Sequence, residues 1–223
     1  MKYKLGDVMN IQFMIDALPL YAEALKLTLN ISFWGILFAI ILGIFCALVE
    51  YYKIPILKKL VHFYIELSRN TPLLIQLFFL YYGFPQVGIK LEAEPCAIIG
   101  ISFLGGSYMS EAIRAGFESI KKSQIEAGLS IGLNNWQLMR YIIFPQAFKF
   151  AIPAFIANII FLLKETSVVS AIALADIMFV TKDLIGMYYK TTESLFMLVL
   201  AYLLLLLPLS LFFTYLERRL NHA

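Results

Sequence analysis

The sequence is poor in the side chains on which most chemistry depends. Only two cysteines and two histidines occur in 223 residues. Cys46 and Cys96 both sit in apolar segments, outside any CxxC or Cys/His ligand spacing, so they read as small buried hydrophobes and no metal is expected. His62 and His222 have no ligand or base partner by spacing and read as interfacial side chains. HExxH, a GxSxG elbow and a nucleophile–base pair are all missing, which argues against an intramembrane enzyme. The stretch 100–107 (GISFLGGS) spaces its glycines near those of a phosphate-binding loop, but lacks the lysine that would reach the phosphates. The chain is expected to bind no cofactor of its own, and any ATP and Mg must be held by another chain. A net charge of only +3 gives no broad basic field, so nucleic acid is not an expected partner.

What the sequence has is apolar surface. Hydrophobic residues make up 61% of it, with a mean hydropathy of +0.80, where a soluble domain has about half. Residues 1–223 read as one all-α polytopic membrane domain in a lipid bilayer, with no internal repeat and no low-complexity linker. The N-terminal segment mixes Lys2 and Lys4 with Asp7, Asp16 and Glu23, and the first apolar run is too long for a signal peptide. The first span is therefore expected to stay in the membrane. A crossing takes about 20 mostly apolar residues. On that basis five transmembrane helices are expected, over about 25–49, 56–84, 95–115, 148–166 and 194–216. The run 168–180 is apolar but short, and reads as a re-entrant or interfacial piece. With the loop at about 121–147 placed inside, inner segments carry ten Lys and Arg against seven outside, on shorter loops. The positive-inside rule then puts the N-terminus outside and the C-terminus in the cytoplasm.

Polar residues within the spans mark candidate sites. The second span is interrupted by Glu66, Arg69 and Asn70-Thr71-Pro72. Glu66 and Arg69 stand at i, i+3 and can pair, which eases their placement at depth. Thr71 as N-cap and Pro72 at the first helical position predict a second half-helix over 73–82. Its free N–H groups would face the interior, as in transporters that hold a substrate carboxylate this way. In the fourth span Asn158 lies close to mid-depth. A buried amide needs partners, so it either ties helices together or faces a pathway. Leu162, one turn on, shares that face and is apolar. The missing carboxylate there leans towards a neutral or acidic substrate. Lys164 and Glu165 close the span as a snorkelling pair.

The loop itself, QIEAGLSIGLNNWQLMRYIIFPQA at 124–147, is the one long polar stretch. Read from residues alone it is an amphipathic surface helix between two spans. The spacing of Glu126-Ala127-Gly128, Gly132 and Pro145 resembles the signature by which membrane subunits of ABC importers dock a separate ATPase. Gly128 stands where that signature has Ala; Gly inside a helix costs about 1 kcal/mol, so the helix is expected to fray or lean on its partner.

Four further stretches occur in family order: SRNTPLLIQLFFLYYG (68–83), SYMSEAIRAGFESI (107–120), LLKETSVVSAI (162–172) and LERRL (216–220). Together with the loop they resemble the permease subunits of polar amino acid ABC importers of the histidine/glutamine type. The resemblance covers roughly 25–220 and departs from the pattern at Asn70, usually Gly, and at Gly128. It implies the type I permease fold, a bacterial inner membrane location, and a complex with a second permease, homo- or heterodimeric. A pair of P-loop ATPases would dock on Glu126–Gly132, and an external solute-binding protein would deliver an amino acid. The resemblance implies that the amino acid, glutamine- or glutamate-like, passes near Thr71, Ser107 and Asn158, and that the chain is not itself an enzyme. An ATP-independent amino acid carrier or channel is the competing reading, and would leave the docking loop without a role.

Overall fold

The computed structural model describes residues 9–221. The expectations resting on Lys2, Lys4, Asp7 and His222 lie outside the described residues. All regular structure within them is helical. Helix α1 is Ile11–Tyr51, α2 Pro55–Arg69, α3 Leu73–Phe78, α4 Ala93–Glu118 and α5 Lys122–Ser130. Helix α6 is Asn135–Leu138, α7 Phe144–Glu165, α8 Ile177–Tyr188 and α9 Thr191–Asn221.

Among the described residues four stretches are long and apolar enough to cross a membrane: Ile11–Tyr51, Ala93–Glu118, Asn135–Ile172 and Thr191–Arg219. The expected span 56–84 is not among them, because the chain breaks in its middle. The 15-residue α2 ends where Asn70 gives both its backbone N–H and its Nδ2 to Glu66 O, at 3.1 and 2.8 Å. Thr71 Oγ1 donates back to Leu67 O at 2.7 Å. Pro72 has no N–H and disfavours helical backbone in the residue before it. The predicted half-helix over 73–82 is shorter than expected as an α-helix: six residues of α3 pass into a π-helical turn, Phe79–Gly83, and a 3₁₀ turn, Phe84–Val87.

Contacts divide the chain into two compact units. The first comprises 9–35, 73–101 and 163–211. Its core joins Ala17, Tyr21 and Ala24 of α1 to Ile177 and Leu184 of α8 and Met197 of α9. This explains why α1 starts fourteen residues before the expected 25. Asp16, Pro19 and Glu23 hide the helix from a hydropathy window, while 17, 21 and 24 lie on one helical face. Tyr21 Oη bonds Thr181 Oγ1 at 2.9 Å and Ser194 O at 3.0 Å. The Asn10 N–H donates to Glu193 Oε1 at 2.9 Å, so α1 and α9 set out from the same end. The run 168–180 is two pieces: a 3₁₀ turn, Thr166–Ile172, stops at Ala173 (φ 57°), and Asp176 caps α8 by accepting from Phe179 N at 2.8 Å.

The second unit comprises 36–72, 102–162 and 212–221. Small residues set its helix spacing. Ala39 and Gly43 of α1 face Gly105 and Met109 of α4; a Cβ on Gly105 would lie 2.7 Å from Ala39 Cβ, and one on Gly43 2.5 Å from Met109 Cβ. Small residues four apart let backbones approach closely, as in membrane helix pairs. Both series rise together, so α1 and α4 are parallel and the chain between them returns. Against α7 the order reverses: Gly105 meets Leu162, and Gly116 meets Ala147 and Ala151. α4 and α7 are antiparallel.

Candidate functional site

The segment Lys122–Pro145 forms a corner of the second unit. α5 closes with Leu133 N–H on Gly128 O at 3.1 Å and Gly132 N–H on Leu129 O at 3.0 Å. Gly132 adopts φ +85°, the left-handed position at which such a C-cap favours glycine. Asn134 and Gln137 then cap α6 reciprocally, Gln137 N on Asn134 Oδ1 and Asn134 N on Gln137 Oε1, each at 2.9 Å. Next comes a π-helical turn, Met139–Ile143, whose wider ladder lies just ahead of Pro145, where a proline ring would press on an α-helical carbonyl.

Gly128 corrects the expectation of fraying. It is buried, and a Cβ there would stand 2.6 Å from Leu138 Cδ1 and 2.7 Å from Ile142 Cδ1. The glycine seats α5 on α6 and the π-helical turn. Glu126 and Ala127 stay exposed, as do Leu129 and Ile131. Glu126 has a single ion pair, with Lys122 at 3.5 Å, and both side chains are mostly in solvent. Such a pair holds little energy, and the acid is open to a partner.

The same unit holds a half-open cavity of about 820 Å³ between α1, α2 and α4, rich in charged side chains. Arg114 is its hub. Its Nη2 donates to Glu111 Oε2 at 2.8 Å, its Nε to Glu111 Oε1 at 3.2 Å and its Nη1 to Glu118 Oε1 at 2.6 Å. Glu50 Oε2 lies 3.9 Å from Arg114 Nε and has no hydrogen-bond partner although buried. Arg69 reaches Glu111 Oε2 at 3.5 Å and stacks over the Tyr108 ring at 5.4 Å. The expected Glu66–Arg69 pair is thus replaced: Arg69 turns to Glu111, and Glu66 Oε2 accepts from Asn70 Nδ2 at 3.1 Å. Sequence reasoning counted Glu50, Glu111, Arg114 and Glu118 only as loop charges. Their signal was the i, i+3 and i, i+4 spacing of Glu111, Arg114 and Glu118.

The pathway candidates fall in this unit but are not all alike. Ser107 is fully buried; its hydroxyl lies 3.1 Å from Ser68 Oγ and donates to Leu104 O at 2.7 Å. Asn158 Nδ2 donates to Tyr108 O at 3.0 Å, which ties α7 to α4. Leu162 is wholly buried against Gly105. Thr71 is half-buried and Pro72 exposed at the break. Lys164 and Glu165, at the end of α7, belong to the first unit, Lys164 exposed and Glu165 half-buried. Among the described residues no group of His, Cys, Asp and Glu could hold a metal ion.

These features place the chain among known proteins. Residues 39–222 match the family described as binding-protein-dependent transport system inner membrane component, and the chain belongs to that family. It is 38% identical over 169 residues to the probable amino-acid ABC transporter permease protein PatM of Vibrio harveyi, covering 74% of this chain and 76% of that protein. The probable glutamine ABC transporter permease protein GlnM of Bacillus subtilis is 32% identical, over 96% of this chain and all of its own length. A solved amino acid ABC transporter with histidines superposes with a TM-score of 0.88 at 31% identity, covering 95% of this chain and 99% of that one. An inward-facing MetNI methionine ABC transporter, 17% identical, shares the fold at a TM-score of 0.69, over 95% of this chain and 99% of its own.

Proposed function

We propose that the chain is the permease of an ATP-driven importer that carries a polar amino acid, glutamine- or glutamate-like, into the cytoplasm. A separate ATPase pair, holding ATP and Mg, docks on Glu126–Gly132. The observation that carries the reading is α5 itself: a nine-residue helix seated through Gly128 on Leu138 and Ile142, with Glu126, Ala127 and Leu129 exposed on it and Ile131 exposed just past its end. A helix that had no partner would gain nothing from a rigid seat beneath an apolar and acidic outer face. Its movement would pass through α6 and Pro145 into α7, and through Lys121 into α4.

Relatives whose names specify glutamine, arginine and L-cystine support a polar amino acid as cargo. A second permease subunit would complete the pathway, and an external solute-binding protein would supply it. The N-terminus would lie outside and the C-terminus in the cytoplasm, in a bacterial inner membrane. The test is copurification from the native host in mild detergent. Wild type should retain a P-loop ATPase, and Glu126→Arg should lose most of it while remaining in the membrane. An oligomer free of ATPase in several detergents would favour a carrier or channel instead.

A further inference from the structure

We propose that the entry to α7 holds an anionic phospholipid from the leaflet on the side of α5. Arg140 and Lys149 take its phosphate, and an acyl chain lies against Phe144 and Phe148. The inference goes beyond transport and needs only that Asn135–Ile172 crosses a membrane. Between Glu126 and Glu165 the sequence has no Asp or Glu, yet Arg140 and Lys149 both fall there and both are exposed. Neither side chain has an ion pair or a hydrogen bond to any described residue. The end of α4 packs on this end of α7 through Gly116, but its acids are already bonded: Glu111 and Glu118 both accept from Arg114. Lys149 is the more telling cation, because it stands at the head of an apolar run, FKFAIPAFIANIIFLL at 148–163. A charge exposed on a span is costly unless it reaches the interface or an anion. Helical side chains lean towards the helix N-terminus, so its stem runs back over Pro145 towards the π-helical turn that carries Arg140.

The apolar half of the site is open as well. Phe144 and Phe148 are 50% and 53% exposed, and their rings stack with centroids 5.9 Å apart, a flat ledge on the outside of the helix. Tyr141, also exposed, sets a phenol beside Arg140, and such amphipathic rings gather at the level of lipid headgroups. Charge selects the occupant. A zwitterionic lipid would cover the ledge but bring a cation of its own to the two already there. A protein partner would have to carry acids down to the apolar level of Lys149. An anionic lipid supplies phosphate at the interface and hydrocarbon below it, which answers both halves at once. The occupant lies on the turn whose Ile142 seats Gly128 of α5.

The test uses the permease in mild detergent with whatever subunits copurify, offered equal amounts of phosphatidylglycerol and phosphatidylcholine. Native mass spectrometry reads which lipid is retained. Wild type should prefer phosphatidylglycerol by roughly five- to thirtyfold, the effect of one or two cations beside a phosphate. Arg140→Gln and Lys149→Gln should each lower that preference several-fold, and Lys149→Arg should keep it. Lys149→Met, which suits an apolar run, replaces the glutamine variant should that one not fold, with the same loss expected. Lys59→Gln, an exposed cation of α2 outside the site, should leave the preference unchanged. Glycerophosphoglycerol, the same headgroup without chains, should displace nothing at equal concentration. A preference untouched by the Arg140 and Lys149 variants, or lowered as much by Lys59→Gln, overturns the site. Displacement by the chain-free headgroup overturns the lipid in favour of a soluble anion. Loss of a copurifying subunit from these variants, with lipid retained, makes the face a protein interface and overturns the proposal too.

Discussion

Asp176 shows how one side chain can carry a function and a penalty together. It lies outside the four apolar spans, caps α8 through Phe179 N, and is fully buried with Oδ2 unpartnered. Burial pushes its carboxyl up from 3.8 to about 6, against the pull of the backbone N–H groups and Lys182. A carboxyl whose folded value is raised binds its proton more tightly in the native state. Its stabilising contribution is complete below about pH 4 and is lost as pH rises through 6. Asn caps a helix as well as Asp and carries no charge. Asp176→Asn should therefore raise thermal stability at pH 7.5, by on the order of 2–3 kcal/mol at most, and flatten its pH dependence between about 4 and 6. Thermal unfolding of the detergent-solubilised protein across that range checks it; a variant less stable than wild type at pH 7.5 would mean that the charge is answered by a partner. No motif announced this aspartate, since its burial comes from packing remote in sequence. The same holds for Arg114: its i, i+3 and i, i+4 partners were legible, but the approach of Glu50 and of Arg69 by way of Glu111 was not.

Glycines divide the helices into those that must touch and those that are free. A Cβ on Gly43 would meet Met109 Cβ at 2.5 Å and the Ser110 backbone N at 2.9 Å, and one on Gly116 would meet the Ala147 carbonyl oxygen at 2.5 Å. Backbone cannot swing aside as a side-chain tip can. Gly43→Ala and Gly116→Ala should each lower stability by about 1–3 kcal/mol. Gly186 in α8 has open space around it, and Gly186→Ala should raise stability by up to about 1 kcal/mol. Melting temperatures of the three variants decide it, and equal shifts would mean that helix propensity rather than close approach governs. The sequence pattern gave away the break at Asn70-Thr71-Pro72 and the turn at Gly132 in the loop, because proline and glycine act locally. It missed the first turns of α1, where Asp16 and Glu23 mask a buried face, and it misjudged Gly128, whose role depends on Leu138 and Ile142 folding back over it.

The direction of the helices carries the topology of each unit. In one unit α1 and α9 start together; in the other α1 and α4 are parallel and α7 opposes α4. Within the second unit the loop between α4 and α7 therefore lies at the end where α1 finishes. The positive-inside rule makes that loop the expected cytoplasmic side, since Lys and Arg are denser in the segments grouped with it. Cysteine labelling can read this directly because the background is silent. Cys46 and Cys96 are 1% and 0% exposed, and neither forms a disulfide. A thiol so buried reacts poorly with a charged reagent. Ser123→Cys, on the exposed face of α5, should react with a membrane-impermeant maleimide only after the cells are opened. Lys90→Cys, in the exposed turn before α4, should react in intact cells. Reversed accessibility would place α5 outside, where no ATPase could reach it, and would overturn the import mechanism without touching the fold.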